Sequence, residues 1–144
     1  SPGGMPERVN KYLIDNGQPK VEDKGQIVRI VLESLALNYR WVLEKLEKIS
    51  GTSIEVLHVV GGGIQNELLC QFAANATGKK VVAGPIEATA SGNIIIQAIA
   101  KGQLASLQQA RKLIAKSFDL KIYSPQDDEL WDEQYKKVEH VFNQ

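Results

Sequence analysis

The residues whose types and spacing could support chemistry lie in one stretch, 54–66, where an apolar run leads into Gly61, Gly62 and Gly63. A β-branched run that ends in glycine is typical of a buried strand in a parallel sheet. Glycine permits a positive φ and lets a ligand approach the backbone, because it carries no Cβ. A strand, a glycine turn and a helix N-terminus together often bind a nucleotide or an anion. The stretch therefore indicates either such a site or a tight turn without a ligand, since glycine turns are frequent in loops.

Two nucleotide-binding motifs are excluded by the residues that follow these glycines. A P-loop requires Lys followed by Ser or Thr, and this chain continues with Ile64, Gln65 and Asn66. The dinucleotide fingerprint requires a third glycine where Asn66 stands. Glu67 then falls in the first turn of the predicted helix, where its carboxylate already interacts with the positive end of the helix dipole. Because that carboxylate would repel a phosphate, we expect the base or ribose of a nucleotide to contact the glycines.

Composition limits the class of protein. With 144 residues and no net charge, the chain is one domain or part of one, and strong binding to nucleic acid or an anionic membrane is not expected. No apolar run reaches the ~20 residues of a membrane span, and no signal-peptide pattern is present. The single cysteine, Cys70, cannot form an intrachain disulfide, which suits the cytoplasm. Residues 1–4 are interpreted as a linker, a loop or a cloning remnant.

Hydrophobic periodicity and capping residues predict the elements that would position the glycine turn. Asp23 and Gly51 are expected to bound the longest helix. The unit 54–83 is a strand, a helix and a strand, and its length suits a right-handed parallel crossover. Helices are predicted over about 5–16, 25–49, 65–76, 87–100, 107–116 and 127–142, strands over 54–60 and 81–83, and a short extended segment over 120–123.

The same periodicity predicts which side chains are buried. The long helix should bury one stripe of residues three and four apart, and its aromatic residues should pack in the core. His58 is expected to be a core or edge residue, Cys70 a small buried residue, and Gly92 a point of close packing. The acidic cluster 127–129 is interpreted as a helix start rather than a metal site. The predicted buried residues are Val28, Val31, Leu32, Leu35, Tyr39, Trp41, Val42, Leu46, Ile49, Leu68, Leu69, Phe72, Ala76, Leu130, Trp131, Tyr135, Val138 and Phe142.

Two sequence blocks, GGGIQN at 61–66 and AGPIEATA at 83–90, carry a family resemblance. Together with the segments MPER at 5–8 and LESLALNYR at 32–40, they resemble the C-terminal domain of the FGGY carbohydrate kinases, especially the rhamnulokinases. The resemblance covers nearly the whole chain. It implies an α/β fold that is part of an actin-like, ribonuclease H-like ATPase domain, in which a parallel strand–helix–strand unit carries several packing helices.

The resemblance also implies a function. The full-length protein would transfer the γ-phosphoryl group of ATP to the 1-hydroxyl of L-rhamnulose, with Mg²⁺ bound outside this chain. Gly62 would contact ATP, Gly61 and Gly63 would belong to the same pocket, and Asn66 would face the adenine with Gln65 beside it. The block 84–93 would pack a helix behind the pocket. No residue here matches a catalytic or metal-binding position of the family, so none is assigned.

Three functions stay open at this point. The chain is the C-terminal portion of a kinase acting on L-rhamnulose or on another ketose or polyol, a non-catalytic α/β nucleotide-binding or interaction module, or an unrelated α/β enzyme. The paired blocks favour the first, whose partners would be ATP or ADP and the N-terminal sugar-binding domain of the same kinase. We also expect self-association, because strand edges at 54–60 and 81–83 and apolar surface would lack cover.

Overall fold

The computed structural model describes residues 3–142, apart from the side chain of Asp128. The predicted elements are confirmed within a few residues, although residues 1 and 2 of the predicted linker lie outside the described part. The elements are α1 (Met5–Asp15), α2 (Lys24–Ser50), β1 (Val56–Val59), a 3₁₀ turn (Gly61–Gln65), α3 (Glu67–Thr77), β2 (Lys80–Ala83), α4 (Ala88–Ala100), α5 (Leu107–Ser117), β3 (Lys121–Tyr123) and α6 (Asp128–Phe142).

The sheet has three strands in the order β1-β2-β3 within the described residues. The strands β1 and β2 are parallel, as predicted, with Leu57 opposite Val81 and Val59 opposite Ala83. The extended segment at the start of the C-terminal region forms β3, which pairs antiparallel with β2. The prediction of an open edge at 81–83 is therefore wrong, because β3 covers that edge. Among the described residues, β1 lies at the other edge of the sheet, as the sequence predicts for 54–60.

Helix α3 lies between the sheet and the helices α2 and α6. One side of α3 presents Cys70, Ala73 and Ala74 to the inward residues of β1 and β2. Another side presents Phe72 and Ala76 to a second cluster. That cluster contains Leu32, Ala36 and Leu37 of α2 and Trp131 and Tyr135 of α6. The short residues on the sheet side allow α3 to approach the strands closely, and this position fixes the glycine turn at its N-terminus.

Helix α2 is bounded as predicted, but it buries a different face. The side chain of Asp23 accepts a hydrogen bond from the Gln26 amide at 2.8 Å, and Gly51 ends the helix with φ of 64°. The buried residues are Ile27, Leu32, Ala36, Leu37 and Leu43. Of the predicted stripe only Leu32 is buried, whereas Val28, Leu35, Val42, Leu46 and Ile49 are exposed. The prediction failed because α2 has two apolar faces, and α3 and α6 contact only one of them.

Several smaller packing predictions are also wrong. The side chains of Tyr39, Leu68 and Leu130 are exposed, whereas Trp41 packs against the core as expected. No residue of α4 is buried, and a Cβ at Gly92 would meet nothing within 4 Å. The close packing expected at Gly92, and a helix packed behind the glycine turn, are therefore absent among the described residues.

Candidate nucleotide site

The glycine turn is held against the loop that follows β2. Gly61 has φ of 73°, a left-handed conformation that non-glycine residues rarely adopt. Its amide donates a hydrogen bond to the Pro85 carbonyl at 3.3 Å, and the Gly84 amide donates to the Val59 carbonyl at 2.8 Å. The two blocks that carry the family resemblance are thus in direct contact. The backbone explains why residue 61 is glycine.

Gly62 and Gly63 have no such structural reason. Neither residue has a positive φ. A Cβ at Gly62 would meet nothing within 4 Å, and one at Gly63 would make an ordinary contact of 3.7 Å with Cγ1 of Val59. The absence of a side chain at Gly62 therefore leaves open space beside exposed backbone. This is the arrangement that a closely approaching ligand requires.

Asn66 and Gln65 lie between the turn and α3. The Oδ1 atom of Asn66 accepts a hydrogen bond from the Leu69 amide at 3.0 Å, so Asn66 caps α3. This capping role is a sufficient reason for asparagine at position 66, without a ligand. The Nδ2 atom of the same exposed side chain is still a hydrogen-bond donor. Gln65 is the last residue of the 3₁₀ turn and is exposed. The predicted helix start at residue 65 is displaced to Glu67 by this extra turn.

A cavity of ≈ 270 Å³ opens beside the turn. This volume lies below the ~300–1,000 Å³ of a pocket that encloses a drug-sized ligand. Of the five predicted site residues, Gln65 lines this cavity. The others, Gly61, Gly62, Gly63 and Asn66, are close to Gln65 in the chain. The cavity is lined by Ile64, Gln65, Glu67, Ala83, Ile86, Asp119 and Lys121. The lining combines the apolar residues Ile64, Ala83 and Ile86 with carboxylates at Glu67 and Asp119, which suits a heterocycle better than a triphosphate.

Sequence reasoning missed Lys121 in this site. The Lys121 ammonium forms a hydrogen-bonded ion pair with Glu67, and the bond to Glu67 raises the pKa of Lys121. The repulsion of phosphate that we expected from Glu67 is therefore reduced, because a cation lies against the carboxylate. No sequence signal links two residues so far apart. Only the antiparallel pairing of β3 brings them together.

Two buried groups under the turn are poor nucleophiles. Cys70 is 1% exposed, and its Sγ atom lies 4.0 Å from the Gly63 carbonyl, to which the thiol donates. Burial, and secondarily Glu67, raise the pKa of Cys70. The Tyr123 hydroxyl is buried and has no hydrogen-bond partner among the described residues, and burial raises its pKa as well. Both groups therefore stay protonated at neutral pH.

The described residues contain no group of three or more His, Cys, Asp or Glu side chains that could hold a metal ion. The acidic cluster at 127–129 forms the start of α6, as the sequence predicts. Within the same part of the chain, no helix is both long and apolar enough to cross a membrane.

The class of protein follows from a family comparison. Residues 1–101 match the model of the FGGY family of carbohydrate kinases, C-terminal domain. The chain belongs to this family, as the sequence blocks predicted. Membership in a kinase family implies the use of ATP. A solved structure of similar fold is the xylulose kinase from Rhodospirillum rubrum, with a TM-score of 0.68, 19% identity, and coverage of 88% of this chain and 26% of that one. This likeness confirms the α/β, actin-like fold.

Individual relatives narrow the comparison to one kind of kinase. The chain is 51% identical over 135 residues to the rhamnulokinase of Bacteroides thetaiotaomicron, covering 94% of this chain and 28% of the relative. It is 44% identical over 128 residues to the rhamnulokinase of Halalkalibacterium halodurans, with 89% and 27% covered. It is 35% identical over 127 residues to that of Bacillus subtilis, with 88% and 26% covered. The chain thus resembles rhamnulokinases and spans about a quarter of their length.

Proposed function

We propose that these 144 residues are a single partial domain, the adenine-nucleotide-binding portion of a cytoplasmic sugar kinase that transfers the γ-phosphoryl group of ATP to L-rhamnulose. The observation that carries the proposal is the open backbone at Gly62, at the end of β1, in a chain whose relatives are rhamnulokinases. The adenine would occupy the cavity beside Gln65, and Asn66 Nδ2 would face it. The sugar site, Mg²⁺ and the N-terminal domain would belong to the rest of the protein.

The chemistry of phosphoryl transfer indicates which roles belong to this chain and which belong to the rest of the protein. The reaction needs an acceptor hydroxyl in line with the γ-phosphorus, a base near its proton, and charge stabilisation around the phosphates. The glycine turn and its small cavity can hold the base end of a nucleotide. The 144-residue chain alone would not hold the acceptor hydroxyl in line with the γ-phosphorus. Such positioning lowers the activation free energy by roughly 7–11 kcal/mol, and this contribution would be absent. We therefore expect the 144-residue chain to bind nucleotide weakly and not to phosphorylate a sugar.

Nucleotide binding is tested by titration calorimetry with ATP, ADP and adenosine. We expect similar affinities for all three, weaker than micromolar, since the base end makes the contacts. The variant Gly62→Val should lose binding and stay folded, because Gly62 has no positive φ and open space around it. Gly92→Val is the matched control, since Gly92 is also open and lacks a positive φ. A folded Gly62→Val variant that binds like the parent, or a strong preference for ATP, contradicts the site.

The transfer reaction is tested separately by coupled ADP release. The full-length protein should turn over L-rhamnulose faster than other ketoses and polyols, and the 144-residue chain alone should show no turnover above background. A preference for another sugar would refute the proposed substrate but not the nucleotide site. Turnover by the 144-residue chain would show that the acceptor site and the base lie within it.

A further inference from the structure

A carboxylate without a partner lines the cavity beside the glycine turn. It belongs to Asp119, which lies two residues before the start of β3 and is exposed. Asp119 and Glu67 are the two acidic residues that line this cavity of ≈ 270 Å³. Within the described part of the chain, the Asp119 side chain forms no hydrogen bond and no ion pair, whereas Glu67 is paired with Lys121. The Asp119 carboxylate is therefore available to a ligand in the cavity.

The backbone next to Asp119 is seated on Gly84. Gly84 has φ of 122°, and a Cβ there would lie 3.0 Å from Cδ2 of Leu120 and 3.7 Å from the Asp119 carbonyl oxygen. Glycine at position 84 thus permits both the backbone conformation and the close approach of residues 119–120. The Gly84 amide also bonds to the Val59 carbonyl, directly before the glycine turn. Tertiary packing therefore brings Asp119 to the same loop that holds the glycine turn.

The other polar groups at the cavity are already engaged or are weaker acceptors. The Glu67 carboxylate is bonded to the Lys121 ammonium. The Oδ1 atom of Asn66 is used to cap α3, so Asn66 offers a ligand its Nδ2 donor. Gln65 offers a neutral amide oxygen, which accepts a weaker hydrogen bond than a carboxylate does. Asp119 is therefore the strongest acceptor that no protein group occupies.

The charge and shape of the lining indicate which part of a nucleotide fits there. Two carboxylates face one ammonium, so the lining as a whole attracts hydrogen-bond donors and repels phosphates. The apolar side chains of Ile64 and Ile86 can contact the faces of a heterocyclic ring. Adenine carries one exocyclic donor, its 6-amino group, and its unsubstituted ring nitrogens are acceptors. The 6-amino group is therefore the part of adenine that matches a free carboxylate.

We propose that Asp119 recognises the base of the nucleotide by accepting a hydrogen bond from the 6-amino group of adenine. This inference rests on the proposed nucleotide site and adds a specificity-determining residue to it. Asn66 supplies the donor on one side of the base, and Asp119 supplies the acceptor on the other lining segment. No motif indicates Asp119, because it is far from the glycine turn in the chain and reaches the cavity only through the packing of residues 119–120 on Gly84.

Titration calorimetry of the full-length protein tests this assignment with two ligands, ADP and purine riboside 5′-diphosphate, which lacks only the 6-amino group. We expect the parent to bind ADP about 10-fold more tightly, as for a hydrogen bond to a charged group. Asp119→Ala should lower the affinity for ADP to that for the analogue and leave the affinity for the analogue unchanged. The lost preference measures the coupling between the amino group and the carboxylate, as a double-mutant cycle does.

Glu67→Ala is the matched control, because it removes the same charge from the same cavity, and it should keep the preference for ADP. A parent without this preference, or an Asp119→Ala variant that keeps it, overturns the inference and leaves the nucleotide site intact. Loss of the preference in Glu67→Ala also overturns it, since Glu67 is then the acceptor. If neither ligand binds the parent, the nucleotide site itself is refuted, and the inference with it.

The exposed position of Asp119 favours a folded Asp119→Ala variant. If this variant does not fold, Asp119→Asn is measured instead, since it keeps the shape of the side chain and removes the charge. The preference for ADP should then fall as well, because a neutral amide oxygen is the weaker acceptor. An unchanged preference in a folded Asp119→Asn variant overturns the inference.

Discussion

Arg40 joins three helices through a single side chain. Its guanidinium bonds to Glu44 within α2 at 2.9 Å and to Asp132 of α6. It also donates to the Ala76 carbonyl near the end of α3 at 3.3 Å, and it lies 4.3 Å from the centre of the Tyr135 ring. The Arg40 side chain is only 19% exposed, so these interactions are screened less than those at the surface.

We predict that Arg40→Ala lowers the free energy of unfolding by roughly 2–3 kcal/mol, because two carboxylates and a carbonyl lose a charged partner. Arg29→Ala is the matched control, since Arg29 pairs with Glu33 at the same spacing but is 66% exposed. The control should cost about 0.5 kcal/mol, as exposed helix pairs do. Urea denaturation measures both values. Equal losses of unfolding free energy in Arg40→Ala and Arg29→Ala would show that the contacts of Arg40 with α3 and α6 do not stabilise the fold.

At the scale of the element, α2 presents two apolar faces of unequal burial. Leu43 is 6% exposed and belongs to the face that α3 and α6 contact, whereas Leu46 is half exposed. The two residues have the same type and are less than one turn apart. Their difference arises only from which neighbours lie on each side of the helix.

We predict that Leu43→Ala destabilises the 144-residue chain by roughly 2–4 kcal/mol, because it leaves a cavity in the core. Leu46→Ala should change stability by less than about 1 kcal/mol, since the side chain is largely in water already. Thermal or urea unfolding of the pair is the measurement. A large loss for Leu46→Ala would mean that the exposed apolar face of α2 is covered within this chain.

Glu47 connects three elements near the end of α2. Its Oε1 atom accepts a hydrogen bond from the Ile54 amide at 2.7 Å, just before β1. The same oxygen lies 3.3 Å from the Lys79 ammonium, just before β2. The Ile54 amide and then Lys79 lower the pKa of Glu47 below its ordinary value of 4.5. The charged form is thus favoured in the folded state.

A depressed folded-state pKa means that this contribution to stability is present above pH 4.5 and is lost as the pH falls below that value. We predict that Glu47→Gln flattens the fall in stability on the acid side and leaves stability near neutral pH lower than in the parent. Urea midpoints measured across the acid range test this. Glu33→Gln serves as the control. If the stability of Glu47→Gln falls with decreasing pH as steeply as that of the parent, the role given to the Glu47 carboxylate is contradicted.

At the scale of the whole molecule, the 144-residue chain leaves apolar surface without a partner among the described residues. The exposed apolar face of α2 is one part of this surface, and Ile94 and Ile96 of α4 are another. The far face of the sheet adds Ile122 of β3. Contiguous apolar surface and an open strand edge favour association with other chains.

We predict that the 144-residue chain self-associates, with a weight-average mass that rises with concentration in sedimentation experiments. Leu46→Glu should shift this association to higher concentration, because a charge on the exposed apolar face of α2 must be desolvated on contact. Gln26→Glu adds the same charge on another face of α2 and should change little. A monomer at all concentrations would contradict the prediction.

The sequence alone determined the local elements and the family. The caps at Asp23 and Gly51 depend on neighbours within one turn, so short-range chemistry is sufficient to predict where α2 begins and ends. The glycine turn was visible for the same reason, since a strand, Gly61 and a helix start are adjacent in the chain. The blocks at 61–66 and 83–90 together predicted the family, and the structure brings them into contact through the Gly61 amide and the Pro85 carbonyl.

Only the tertiary structure decided which faces and edges are covered. Periodicity shows that α2 is amphipathic, but it cannot show which of two apolar faces meets α3, because the choice depends on residues far along the chain. The pairing of β3 with β2 and of Lys121 with Glu67 depends in the same way on distant segments. The corrections to the buried stripe of α2 and to the charge beside the glycine turn therefore arise from long-range contacts that no local pattern encodes.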